Sequence, residues 1–295
     1  MSLGIDMVPM KTCSFNCIFC QLGCAPKTIV VRDEYVPLGE IADEFRDWLA
    51  HSASASYITL GGSGEPTLHS GIGKLIDLIH GLSSIKVAVL TNGSLLTDED
   101  VRLSLCKADL VKVSFSAFDD ESLRKINSPD VGIEFNSYYN GILDFRRSFK
   151  GEMWLEVFIV QGVNDKQSEV SKIAKMAIKI GADRIQLNTV VRPPANEGVK
   201  PVSHEQMLEL VKLFGSTAEI IADQQVMTGL GKRGIDESEI VAMAKRHPIR
   251  ALDVCALYGC TEDEASGKLV ALVEQGVLSR HLASGTCYYK VMDQK

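Results

Sequence analysis

Short β-rich apolar runs alternate with helix-period patterns from residue 3 to about residue 215. The runs are Leu3–Val8, Tyr57–Leu60, Val87–Leu90, Leu110–Phe115, Trp154–Val160 and Arg184–Val190. Several are near-continuously apolar, as strands become when helices cover them. Between the runs the period changes: Val170, Ile173, Ala174 and Ala177 fall at i, i+3, i+4 and i+7, one stripe along a helix. Six βα units in succession predict an α/β fold with a parallel sheet, either open and doubly wound or a partial barrel. In both, the loops after the carboxyl ends of the strands build the site.

That rule gives position a meaning. Cys13, Cys17, Cys20 and Cys24 follow the first predicted strand, Gly61-Gly62-Ser63-Gly64-Glu65-Pro66 the second, and Thr91-Asn92-Gly93-Ser94 the third. Ser114 and Ser116 end the fourth strand, Val163-Asn164-Asp165 follows the fifth, and Asn188 to Arg192 closes the sixth. Glu156 is an unusual acid inside an apolar strand, and a barrel interior or a buried pair would each account for it.

A short strand is predicted at Ala218–Ala222, followed by a linker over 224–235, so that residues 1–223 form one domain. Residues 236–295 read as a second, smaller one. Helical patterns at Glu237–Arg246 and Arg250–Tyr258 precede a third helix capped by Thr261 facing Glu264 and stopped at Gly276. A hairpin about Ala283-Ser284-Gly285 follows, and three helices with a hairpin suggest a winged helix-turn-helix.

At 295 residues and 45% apolar content the chain can bury one large core and a small second one. No run approaches the ~18–20 apolar residues of a membrane span, and the first residues lack a secretory pattern, so a cytoplasmic protein without membrane contact is expected. The formal charge of −7 does not indicate nucleic acid as a partner. Of eight cysteines, Cys106, Cys255, Cys260 and Cys287 are scattered and read as small buried hydrophobes.

The other four crowd into residues 13–24. Cys13-Ser-Phe-Asn-Cys17-Ile-Phe-Cys20 sets three thiols on one short loop, close enough to share a cuboid iron–sulfur cluster with one iron left open. Zinc is the competing reading, but it takes four ligands and only Cys24 lies near as a fourth. The 61–66 loop is a glycine turn for close backbone approach, without the pattern of a phosphate or dinucleotide loop.

The form C-x3-C-x-aromatic-C, with Phe19 in the aromatic slot, resembles the radical S-adenosylmethionine (SAM) superfamily. Leu3 to Gly23, Ile58 to Leu68, Val89 to Leu96 and Gln186 to Pro194 further resemble the subgroup related to wyosine-type tRNA base synthases, over roughly residues 3–223. The resemblance implies a partial (β/α)6 barrel, one [4Fe-4S] cluster held by Cys13, Cys17 and Cys20, and SAM on its open iron. Phe19, Gly62, Gly64 and Glu65 would position SAM, with Asn92, Ser114, Ser116 and Asn188 as further contacts and Arg192 near adenine. Asn92 reads equally well as a turn former.

The activity implied is reductive cleavage of SAM to a 5′-deoxyadenosyl radical, with electrons from a ferredoxin or flavodoxin and an RNA base or a peptide as the modified group. The tRNA enzymes carry upstream cysteines for a second cluster; no cysteine precedes Cys13 here, and their substrate-capturing lysine matches no single lysine. The alternative is an iron–sulfur, redox-responsive winged-helix regulator. Residues 231–295 balance nine Lys/Arg against nine Asp/Glu, and the third helix opens Glu262-Asp263-Glu264, which disfavours DNA.

Overall fold

The computed structural model describes residues 2–23, 25–52, 55–192, 194, 196, 198–221, 234–283 and 286–292. Cys24, most of the 224–235 linker, and Ser284 and Gly285 of the hairpin turn lie outside them.

Seven strands form one parallel sheet: β1 (Ser2–Ile5), β2 (Tyr57–Leu60), β3 (Lys86–Thr91), β4 (Leu110–Ser114), β5 (Glu152–Phe158), β6 (Arg184–Asn188) and β7 (Ala218–Ile220). Their order in the sheet is their order in sequence. Right-handed crossovers that always step the same way lay every helix on one face. The other face then lines an open lumen, which is the geometry of a partial barrel.

Burial alternates accordingly. Val111, Val113, Leu155, Val157 and Leu187 face the helices and are fully buried, whereas Lys112, Ser114, Glu156 and Asn188 face the lumen and are partly exposed. Val170, Ile173, Ala174 and Ala177 pack as the single buried stripe of the helix Gln167–Ile180. That stripe settles against the sheet as its period requires.

The strand bounds differ from expectation at the carboxyl ends. β1 stops at Ile5 because Asp6 turns away to accept the Ser63 N–H at 2.9 Å. β5 stops at Phe158 although Ile159 and Val160 are buried, and β6 stops at Asn188. Apolar runs report burial, and burial continues past the ladder. The seventh strand extends the six βα units by one edge.

Residues 240–289 gather a second core, around Ile240, Val254, Tyr258, Leu269 and Tyr289, separate from that of the barrel. Three helices, Glu237–Arg246, Ala251–Tyr258 and Glu262–Glu274, precede the antiparallel hairpin of β8 (Leu278–Ala283) and β9 (Thr286–Val291). The Thr261–Glu264 capping box is present, with the Thr261 N–H donating to Glu264 Oε2 at 2.8 Å. Ile249 pairs with Tyr289 as a further β-bridge. Among the scattered cysteines only Cys255 is buried; Cys106, Cys260 and Cys287 are half-buried, since each lies near the rim of its core.

Candidate functional site: a thiol loop braced at the strand ends

The loop between β1 and the first helix is bonded on two sides. Toward β2, the Lys11 N–H donates to the Ser63 carbonyl at 2.5 Å, and the Glu65 N–H donates to the Thr12 carbonyl at 2.9 Å. Gly64 permits that approach, because a Cβ there would collide with the Thr12 carbonyl. Gly62 has φ +128°, a conformation that favours glycine. On the opposite side, Asn16 and Ile18 donate their N–H groups to carbonyls of residues 126–128, at 3.0 and 3.1 Å.

The thiols receive amide donors from elsewhere in the fold. Asn92 Nδ2 points at Cys13 Sγ at 3.5 Å and at Ser14 Oγ at 2.9 Å, while Asn127 Nδ2 donates to Cys17 Sγ at 3.2 Å. Burial, with the Glu65 charge adding to it, pushes the Cys13 thiol up to about 11. Burial pushes Cys17 up to about 12 against the pull of the Asn127 donor.

Glu65 is buried, and both its oxygens are engaged. Oε1 accepts the Thr67 N–H at 3.1 Å and the hydroxyls of Thr67 and Thr91 at 2.5 and 2.7 Å; Oε2 accepts the Asn92 N–H at 2.6 Å. Desolvation nevertheless raises its pKa, because four donors do not replace bulk water. The carboxylate therefore organises its own loop and the β3 terminus together.

A cavity of about 560 Å³ collects Cys13, Cys17, Cys20, Phe19, Gly62, Gly64, Glu65, Asn92, Ser114 and Asn188 on one surface. Phe19 stacks on Phe158 with ring centroids 3.8 Å apart and planes 7° from parallel. Ser116 stands apart: it is buried, and its hydroxyl accepts the Phe158 N–H at 2.9 Å. Arg192 also turns elsewhere, pairing with Asp253 of the C-terminal unit at 3.1 Å.

Deeper in the lumen, Glu156 Oε1 accepts Lys112 Nζ at 3.1 Å and Asn188 Nδ2 at 3.0 Å. The strand acid is thus a paired group in a barrel interior, and both explanations of it hold together. Asn127, Lys112 and His247 were not singled out from sequence. Lys112 and His247 line the same cavity, and His247 reaches it from beyond the second core's first helix. Lys112 carried a readable signal as a charge in an apolar strand, two residues before Ser114.

The donor set suits an iron–sulfur cluster. Three thiols share one wall, and two of them face amide N–H groups of the kind that bond cluster sulfurs. Among the described residues no three His, Cys, Asp or Glu side chains gather tightly enough for a single metal ion. Thiolates spread around a larger cuboid body meet no such condition.

Known proteins align with this arrangement. The profile of the Radical SAM superfamily matches residues 7–190. A Brachyspira hyodysenteriae protein named GTPase Obg is 37% identical over 98% of this chain, which spans only 43% of that protein's length. The UPF0026 protein MJ1312 of Methanocaldococcus jannaschii is 30% identical over 84% of this chain and 79% of its own. Among solved structures, Streptococcus suis SuiB bound to its precursor peptide SuiA superposes with a TM-score of 0.57 at 14% identity, over 76% of this chain and 50% of its own. A radical SAM methyltransferase from Sphaerobacter thermophilus gives 0.57 at 15% identity, over 75% and 66%; at such identities the likeness is one of fold. The chain belongs to the Radical SAM superfamily, whose profile covers most of its length.

Proposed function

We propose that this protein reductively cleaves SAM and directs the resulting radical at a substrate hydrogen. The observation carrying this reading is the shared wall on which Cys13, Cys17 and Cys20 meet the Glu65 loop through Asn92. Cys13, Cys17 and Cys20 are assigned as the three cluster ligands. When bound, the cluster and SAM supply an electron and a 5′-deoxyadenosyl radical.

The chain's own residues hold and screen that chemistry. Glu65 fixes the backbone of 61–67 against β3, so that Gly62 and Gly64 present peptide groups to the methionine end of SAM. Ser114 and Asn188 offer polar contacts at the ends of β4 and β6, and the Phe19–Phe158 stack excludes water beside the thiols. Ser116 positions the Phe158 backbone beneath that stack.

Residues 1–223 serve as the catalytic domain and 236–295 as a winged-helix-like domain that presents substrate. A small electron carrier of the ferredoxin or flavodoxin type is the assigned reductant. No helix of the described residues is long and apolar enough to cross a membrane, and a cytoplasmic setting suits an oxygen-sensitive cluster.

Anaerobic reconstitution with iron and sulfide, followed by dithionite and SAM, is expected to yield 5′-deoxyadenosine. Product no greater than in a Cys17→Ala control, from protein with a fully loaded cluster, would overturn the proposal.

A further inference from the structure

A second cavity, of about 680 Å³, opens between the end of β6, the 199–201 segment and the C-terminal hairpin. Its described lining holds four permanent cations, Arg192, Lys200, Arg250 and Lys290, and no acid. Asp253, buried and outside that lining, is shared between two of them: Arg192 and Arg250 each reach its Oδ1 at 3.1 Å. Two guanidiniums on one carboxylate leave a surplus positive charge, and the two lysines raise it further. Both guanidiniums are about four-fifths buried and held in place, so the surplus is pre-arranged rather than solvated. In a chain of net charge −7 this concentration is a local feature, not a general one.

The remaining walls are largely apolar, with Pro201, Pro248 and Tyr288 among them, and carry the uncharged polar groups of Gln21 and Thr286 and the imidazole of His281. The volume falls within the ~300–1,000 Å³ of small-molecule sites. Gln21 lines both this cleft and the cofactor cavity, and His247 of the cofactor cavity is followed directly by Pro248 of the cleft. A ligand seated here borders the place where the radical is made.

We infer that this cleft takes the polyphosphate of a free nucleotide, held as the substrate beside the cofactor cavity. The inference rests on the radical-enzyme reading for the ligand's fate, not for its binding. Arginine forks and lysine ammoniums match phosphate oxygens, and an apolar wall with one aromatic ring matches a base. A nucleic acid strand fits less well. It needs cations continuing along a path, whereas the helix Glu262–Glu274 opens with three acids.

Titration of the cluster-loaded full chain with the fluorescent analogues mant-GTP and mant-ATP is expected to give saturable binding. Binding should weaken with salt and be displaced by inorganic tripolyphosphate. The double variant Lys200→Glu/Lys290→Glu, both exposed positions, should weaken it about tenfold or more. No saturable binding to millimolar concentration, binding indifferent to the double variant, or tighter binding of an RNA oligonucleotide or an acidic peptide would overturn the inference. Normal 5′-deoxyadenosine formation without nucleotide binding defeats the cleft alone; nucleotide binding without 5′-deoxyadenosine defeats the cofactor reading alone.

Discussion

Glu65 Oε2 accepts the backbone N–H of Asn92 at 2.6 Å, and the side chain of the same Asn92 reaches back to Cys13 and Ser14. A buried acid on one strand end thereby fixes the residue that fixes the thiol loop on another. Asn92 is a turn former and a bonded brace at once, because its Oδ1 also accepts the Ser94 N–H at 2.8 Å.

Glu65→Gln puts an amide NH2 where two sets of donors converge. At least one donor then loses its acceptor, which costs about 1–3 kcal/mol. Thermal unfolding should show that loss, and calorimetric titration should show weaker SAM binding. Unchanged SAM affinity would mean that the loop does not depend on the carboxylate.

Asn127→Ala removes the N–H donor on Cys17 while leaving all three thiols in place. Hydrogen bonds to cluster sulfurs favour the reduced form, so the reduction potential should fall by tens of millivolts. Redox titration by electron paramagnetic resonance reads this directly, and cluster content measured alongside separates tuning from failed assembly.

Gly64→Ala drives a methyl group into the Thr12 carbonyl, one residue before Cys13. The loop has to shift, at about 1–3 kcal/mol. Iron content after reconstitution is expected to drop well below that of the unchanged protein. Gly181→Ala makes the control: at φ +72° an alanine is strained in its own backbone, yet its methyl meets no neighbouring atom, and the position is the carboxyl cap of the helix Gln167–Ile180.

Burial raises Cys13 to about 11 and Cys17 to about 12 from an ordinary 9.0, so both thiols are protonated at neutral pH before cluster assembly. Ligation takes thiolates and releases those protons. Loading of the cluster-free protein should therefore improve as pH rises from 7 toward 9. The fold without its cluster behaves oppositely: groups with raised folded pKa values contribute stability below their unfolded values and lose it as pH climbs toward the folded ones. Urea unfolding of cluster-free protein should therefore show stability declining from pH 9 toward 11, between the ordinary thiol value and the raised ones, and a flat profile there would contradict the burial argument.

The strands and the loops bearing the thiols and Glu65 were legible in sequence because period and strand-end position are local properties. Ser116 was misleading for the same reason. Alternate placement put it on the face of Ser114, but the barrel closes over it and uses its hydroxyl for Phe158. Asn127 and His247 left no local trace: Asn127 reaches the loop from a helix end, and His247 lines the cavity from beyond the second core's first helix. Arg192, expected near adenine at the end of the sixth strand, lies four residues past β6, and its partner Asp253 lies 61 residues away on another unit.

The donors to the thiols also have an order in time. Synthesis runs from the amino terminus, and Asn92 and Asn127 lie 79 and 110 residues after the cysteines they bond. A ribosome therefore releases the three thiols long before anything that holds them in position. For that interval they are ordinary exposed cysteines, open to stray metals and oxidants, and only the arrival of the end of β3 and then of the helix after β4 turns them into a preformed receptacle.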